Sequence, residues 1–174
     1  MKNLWLDAME FLEGFYFVLE NEFFDLNMEI VSKLNHLKYC IIHNHLPSEK
    51  LLKFVDKFPK LPILSFSGQI DDELLKLLAS KSNKSSPLRK LELVPRIGFS
   101  IYGVEHFLKR ATFVHLPHIC LKMNAALSEV EKMFKRINKY KVISFRKKGE
   151  IVVAMLKKID EKNHIIVVTI LLYL

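Results

Sequence analysis

The chain is poor both in residues that break structure and in residues that staple it. Among its 174 residues are only 5 glycines, 6 prolines, 2 cysteines and one tryptophan. So little Gly and Pro excludes a long flexible or low-complexity tail. Cys40 and Cys120 are too few for a disulfide framework, which points to a reducing compartment, cytoplasmic or nuclear. Long apolar runs are missing too. The longest, "IIVVTILLYL" at 165–174, has ten residues, where a spanning helix needs about 20. It reads as a buried or terminal strand, and no membrane partner is expected. The opening "MKNLWLDAMEFLEG" carries acids within its apolar stretch and has no small-residue cleavage site, unlike a signal peptide.

Catalytic signatures are absent as well. There is no G-x-S-x-G elbow, no Walker loop and no G-x-G-x-x-G. His43 and His45 are spaced H-x-H, and His115 and His118 H-x-x-H, but no C-x-x-C set joins them. Neither a metal site, a cofactor nor an enzyme is expected.

What the chain does have is charge asymmetry and rhythm. Residues 1–36 hold seven acids and two bases, a balance of −5, so with a net charge of +8 the remaining residues carry +13. Within 132–148, "KMFKRINKYKVISFRKK", eight Lys/Arg stand without one acid. Such a block attracts acidic surfaces, nucleic acid included.

The rhythm is L-x-x-L-x-L, with other apolar residues filling the same places. It occurs at Leu88-Leu91-Leu93 and recurs at Leu37-Cys40-Ile42, Leu61-Leu64-Phe66, Leu116-Ile119-Leu121, Tyr140-Ile143-Phe145 and Ile165-Val168-Ile170. Met1-Leu4-Leu6 fits at the start. The intervals are 36, 24, 27, 28, 24 and 25 residues. A fixed period of this size is the mark of a repeat array.

Between these hexamers the apolar residues recur at helical spacing. Leu51, Leu52, Val55 and Phe58 form one stripe, Leu74, Leu75, Leu77 and Leu78 a second, and Val104, Phe107, Leu108 and Ala111 a third. Val130, Met133, Phe134 and Ile137 follow Ser128 and Glu131, which have capping-box spacing. Val152, Met155, Leu156 and Ile159 predict a further helix. The long first interval predicts an extended helix or an inserted loop in "EGFYFVLENEFF".

Each unit is thus a strand, a turn and an amphipathic helix that buries its apolar face only by stacking on its neighbours. The pattern resembles the leucine-rich repeat family in its longer α/β form. It implies a single domain over 1–174: a solenoid of six to seven degenerate repeats, with an irregular first repeat (1–36) and a terminal strand (161–174). That family continues with Asn or Cys three places after the last leucine. Here Asn124 fits, while His45, Gln69 and Arg96 stand at other equivalent places. Met1 within the first hexamer, and no helix after the last, predict apolar ends that a longer array or a partner covers.

In a repeat of this kind the x positions point to a curved, strand-lined surface. They give Trp5, Asp7, Tyr39, Ile41, His43, Ser65, Lys90, Glu92, His118, Lys122, Ser144 and Arg146 as candidate partner-binding residues. Trp, Tyr and Arg are the usual anchors of such faces. "IDDELLKLLASKSNKSSPLRKLEL" is similar to units of the F-box/leucine-rich-repeat proteins. The resemblance implies a protein partner on the concave surface, selected for ubiquitin transfer, and ubiquitin-ligase subunits reached through an F-box that this chain does not display. The alternative is a basic scaffold that binds nucleic acid through 132–148, or a structural repeat with an unrelated partner.

Overall fold

The structure is a computed structural model and describes residues 8–161 and 163–172. The strand expected at 1–6, and with it Trp5 and Asp7, lies outside the described residues.

Strand and helix alternate along most of the chain. The order is β1 (Gly14–Leu19), α1 (Phe24–Val31), β2 (Tyr39–Asn44), α2 (Ser48–Asp56), β3 (Ile63–Gly68), α3 (Asp72–Lys81), β4 (Leu88–Pro95), α4 (Ile101–Arg110), β5 (Phe113–Met123), α5 (Leu127–Arg136), β6 (Tyr140–Lys148), β7 (Ile151–Lys158) and β8 (Ile165–Leu172). The strands form one sheet in the order β1-β2-β3-β4-β5-β8-β7-β6. β1 to β5 run parallel, and β8 runs parallel to β5. β7 is antiparallel to both β8 and β6. Among the described residues no helix is long and apolar enough to cross a membrane.

The core explains the rhythm. In five of the hexamers the second and third apolar residues fall in register across the sheet, as Cys40–Leu64–Leu91–Ile119–Val168 and Ile42–Phe66–Leu93–Leu121–Ile170. All are buried on one face. The helices pack on that same face through Leu51, Phe54 and Val55, then Leu74, Leu75 and Leu78, then Val104, Phe107 and Leu108, then Val130, Met133 and Phe134. A helix packed against a parallel pair needs a crossover of this length. Each such side chain contributes roughly 1.5–3 kcal/mol by leaving water. Helix starts are tied to their neighbours: Asp71 caps α3 by accepting from the Glu73 amide at 3.1 Å and also accepts from Ser48 Oγ at 3.0 Å.

Several expectations change. "GFYFVL" is neither helix nor loop but strand β1, and Leu12-x-x-Phe15-x-Phe17 is the missing hexamer. Phe15 pairs with Cys40, 25 residues on, so the irregular first interval disappears. Residues 151–158 are strand, not helix, because Val152, Ala154 and Leu156 alternate inward with period two. The Tyr140 hexamer does not lie beside β5. β6 takes the far edge, and the β6–β7–β8 meander brings β8 into the next parallel place. β8 is therefore interior, and the edge on that side is the lysine-rich β6, which suits a strand with an unpaired ladder. Leu116 is not core: it is 55% exposed, and Phe113 packs beside Leu88 instead. Asn124 is exposed, and it is Asn44, one place earlier in its repeat, that is buried at the end of a strand. α5 starts at Leu127, so Glu129, rather than the Ser128/Glu131 pair, reaches back to the Ala126 N–H at 3.0 Å.

Candidate binding face

The helices cover one side of the sheet, and the alternating side chains of the other side stand open. One row crosses all eight strands: Tyr16–Ile41–Ser65–Glu92–Cys120–Thr169–Val153–Arg146. At about 4.8 Å per strand it is roughly 34 Å long. A second row runs Lys90–His118–Val167–Met155–Ser144. A third joins Val18, His43 and Ser67 at one end, and Lys122, Leu171, Ile151 and Lys148 at the other.

The expected residues Tyr39, Ile41, His43, Ser65, Lys90, Glu92, His118 and Lys122 all stand on this open side. Ser144 and Arg146 reach it from the edge strand, in other rows than the repeat spacing implies. Arg146 sits across from Val153 and Ser144 across from Met155, because Ile143 is bulged out between Val142 and Ser144.

The face is divided in character. At the β1–β3 end Tyr16, Val18, Tyr39, Ile41 and Ile63 are exposed, the two tyrosines by 56% and 54%. Tyr39 lies across Gly14, its partner in the ladder, so closely that a Cβ on Gly14 would collide with the ring. Glycine there seats the aromatic ring and limits its freedom before any partner arrives. Tyr16, Val18 and Gly14 escape the repeat spacing because aromatic residues fill the leucine places of β1.

Charge belongs to the other end. Among the described residues the strand positions of the open face carry Lys90, Lys122, Lys141, Arg146, Lys148 and Lys157, against Glu92 as their one carboxylate. Cys120, beside Glu92, has its thiol pushed up first by burial and then by that negative charge. Cys40 faces the core, and burial pushes its thiol to about 12.

A cleft of about 400 Å³ opens where β2 to β5 end, lined by His43, His45, Gln69, Arg96 and Lys122. His43 Nδ1 lies 2.8 Å from Ser67 Oγ, and the rings of His43 and His45 meet edge to face at 4.5 Å. The serine–histidine contact has no counterpart in the sequence reading, because the two residues are 24 apart and meet only through the parallel register. No carboxylate among the described residues is hydrogen-bonded to His43 to orient the pair as a nucleophile and base require. The turn below is set by Asn44, whose Nδ2 donates to the Leu46 and Gln69 carbonyls and whose Oδ1 accepts from the Leu46 amide. Among the described residues, no three His, Cys, Asp or Glu side chains converge as a metal site would need. Comparison with protein-family models, with curated proteins and with solved structures finds no match for the chain.

Proposed function

We propose that this chain is a non-catalytic recognition module, a leucine-rich-repeat-type solenoid that docks a protein through the open side of its sheet. The observation that carries the reading is the apolar cluster of Tyr16, Tyr39, Ile41 and Ile63, left exposed on adjacent paired strands. Large apolar side chains gathered on a rigid surface mark an interaction face, and tyrosine is a common anchor there. The excess of Lys and Arg over Glu92 on the same face favours a partner acidic beyond its apolar contact. Strand–helix units of 24 to 28 residues are consistent with a leucine-rich array. The resemblance to F-box/leucine-rich-repeat proteins sets this recognition in substrate selection for ubiquitin transfer.

A photo-crosslinking residue placed at Ile41, with a control at Lys76 on the helix side, tests the face. The expected result is a discrete adduct from position 41 that Tyr39→Ala abolishes. Equal adducts from both sides, or an adduct insensitive to Tyr39, would overturn the reading. Co-purification of a ubiquitin-ligase subunit with the full-length gene product tests the cellular setting separately.

The basic stretch supports a second reading, binding of nucleic acid. Half of its cations sit on β6: Lys141, Arg146, Lys147 and Lys148. Others are engaged, Arg136 by Glu105 at 2.7 Å and Lys139 by the Ala111 carbonyl at 3.0 Å. Binding that weakens steeply with salt is the expected signature. Absent or salt-insensitive binding to RNA and DNA removes this reading.

A further inference from the structure

A larger cleft, of about 800 Å³, lies where β6 and β8 begin and β7 ends. His115, Lys141, Lys157 and Asn163 line it together with Ile143 and Ile165, and among the described residues no carboxylate does. Three features of its lining bear on what it can hold. The first is that Lys141 and Lys157 stand directly opposite each other on the antiparallel strands β6 and β7. Like charges in that position repel. Neither makes a hydrogen bond or ion pair with a described residue.

The second is a bulge in β5. Pairing jumps from Leu88–Phe113 to Lys90–His118, so β5 spends five residues where β4 spends two. Within the bulge Leu116 has φ +52°, a conformation rare for a bulky side chain and found where structure over-determines it. The third is what the bulge achieves. It carries His115 to β8, where Nδ1 accepts the Ile165 N–H at 3.2 Å. With Nδ1 accepting, the neutral ring holds its proton on Nε2 as a donor.

We propose that this cleft binds a phosphate monoester dianion, held by Lys141, Lys157 and His115. A phosphate monoester carries about −1.5 to −2 charges near neutral pH, which offsets both lysines. A carboxylate or a phosphodiester brings one charge and leaves one ammonium uncompensated. Three terminal oxygens accept from three donors, and ammonium groups serve phosphate as point charges without a fixed fork. The ligand is a small phosphate ester or a phosphorylated side chain on a polypeptide lying along the open face. The site needs no protein partner, so it stands or falls separately from the docking reading.

The test titrates the full chain with inorganic phosphate, O-phosphoserine, a phosphoserine peptide, its unphosphorylated form and a single-stranded oligonucleotide. Nuclear magnetic resonance reads the His115 imidazole and the lysine ammonium groups, and calorimetry reads affinity. Phosphoserine and its peptide are expected to shift His115, and the unphosphorylated peptide is not. Lys141→Gln and Lys157→Gln each weaken binding about tenfold, without lowering the melting temperature, while Lys76→Gln changes nothing. A peptide tighter than phosphoserine assigns the source to a protein segment, and equal affinities assign it to a small ester. Absence of shifts at His115 with every phosphate monoester overturns the proposal. So does affinity untouched by either glutamine variant, or binding confined to the oligonucleotide.

Discussion

Asn44 illustrates how one polar side chain fixes the turns that end two strands. It is fully buried and satisfies both neighbouring turns through Leu46 and Gln69. Asn44→Ala removes the partner of the Leu46 amide and of the Leu46 and Gln69 carbonyls, a loss of about 1–3 kcal/mol in urea unfolding. Gly68 is coupled to it. Its φ is +100°, and a Cβ there would strike the Asn44 carbonyl oxygen. Gly68→Ala is expected to cost about 1–3 kcal/mol, and the double variant less than the two losses together, because both disturb one turn. Full additivity would show that the two positions act independently. Titration is also local. Burial holds Cys40 and Tyr140 protonated to about 12. The unfolded chain releases these protons near pH 8.5 and roughly 10. Above about pH 9 the native state therefore binds more protons than the unfolded state, and stability falls as pH rises. Lys139 opposes this, since burial and then the Lys158 charge lower its pKa. Urea midpoints between pH 8 and 11 are expected to decline; a rise would give Lys139 the larger effect.

At the scale of elements, the parallel units were legible wherever aliphatic residues fill the hexamer. Leu88, Leu91 and Leu93 are buried as their spacing implies. β1 was hidden because Phe15 and Phe17 occupy the leucine places, and aromatic residues look alike in helix and strand. β7 reads as a helix in the sequence because Val152 and Leu156 satisfy a four-residue helical spacing as well as strand alternation. The meander was beyond the sequence, since no spacing says that β8 rather than β6 pairs with β5. β6 and β7 carry four of the six cations named on the open face, Lys141, Arg146, Lys148 and Lys157, so the His115–Lys141–Lys157 cleft is invisible in one dimension. The placement of β8 has a direct consequence. Val168 is fully buried between Ile119 and Ala154. Val168→Asp buries an unpaired charge and is expected to cost more than about 4 kcal/mol, read as loss of the cooperative melt. Thr169→Asp, one residue on and facing the open side, should melt as a folded protein. Similar melts for both would mean that Val168 does not face the core.

Across the whole molecule, contact is passed from neighbour to neighbour, as in stacked units whose stability is shared along the array. Among the described residues β1 and β6 each pair with one strand, whereas β4, β5 and β8 pair on both sides. The residues of the two proposed binding sites sit toward those ends: Tyr16 on β1, and Lys141 and Arg146 on β6. Local opening follows the number of buried contacts and paired hydrogen bonds. Amide exchange is therefore expected to be fastest in β1 and β6, and slowest in β4 and β5. A partner that spans the row from Tyr16 to Arg146 ties both ends to the rigid centre, so its binding should slow exchange most in β1 and β6. A phosphate ester alone touches only the β6 end, and should protect β6 and β7 while leaving β1 unchanged. Protection spread evenly over the sheet would break the link between strand position and binding.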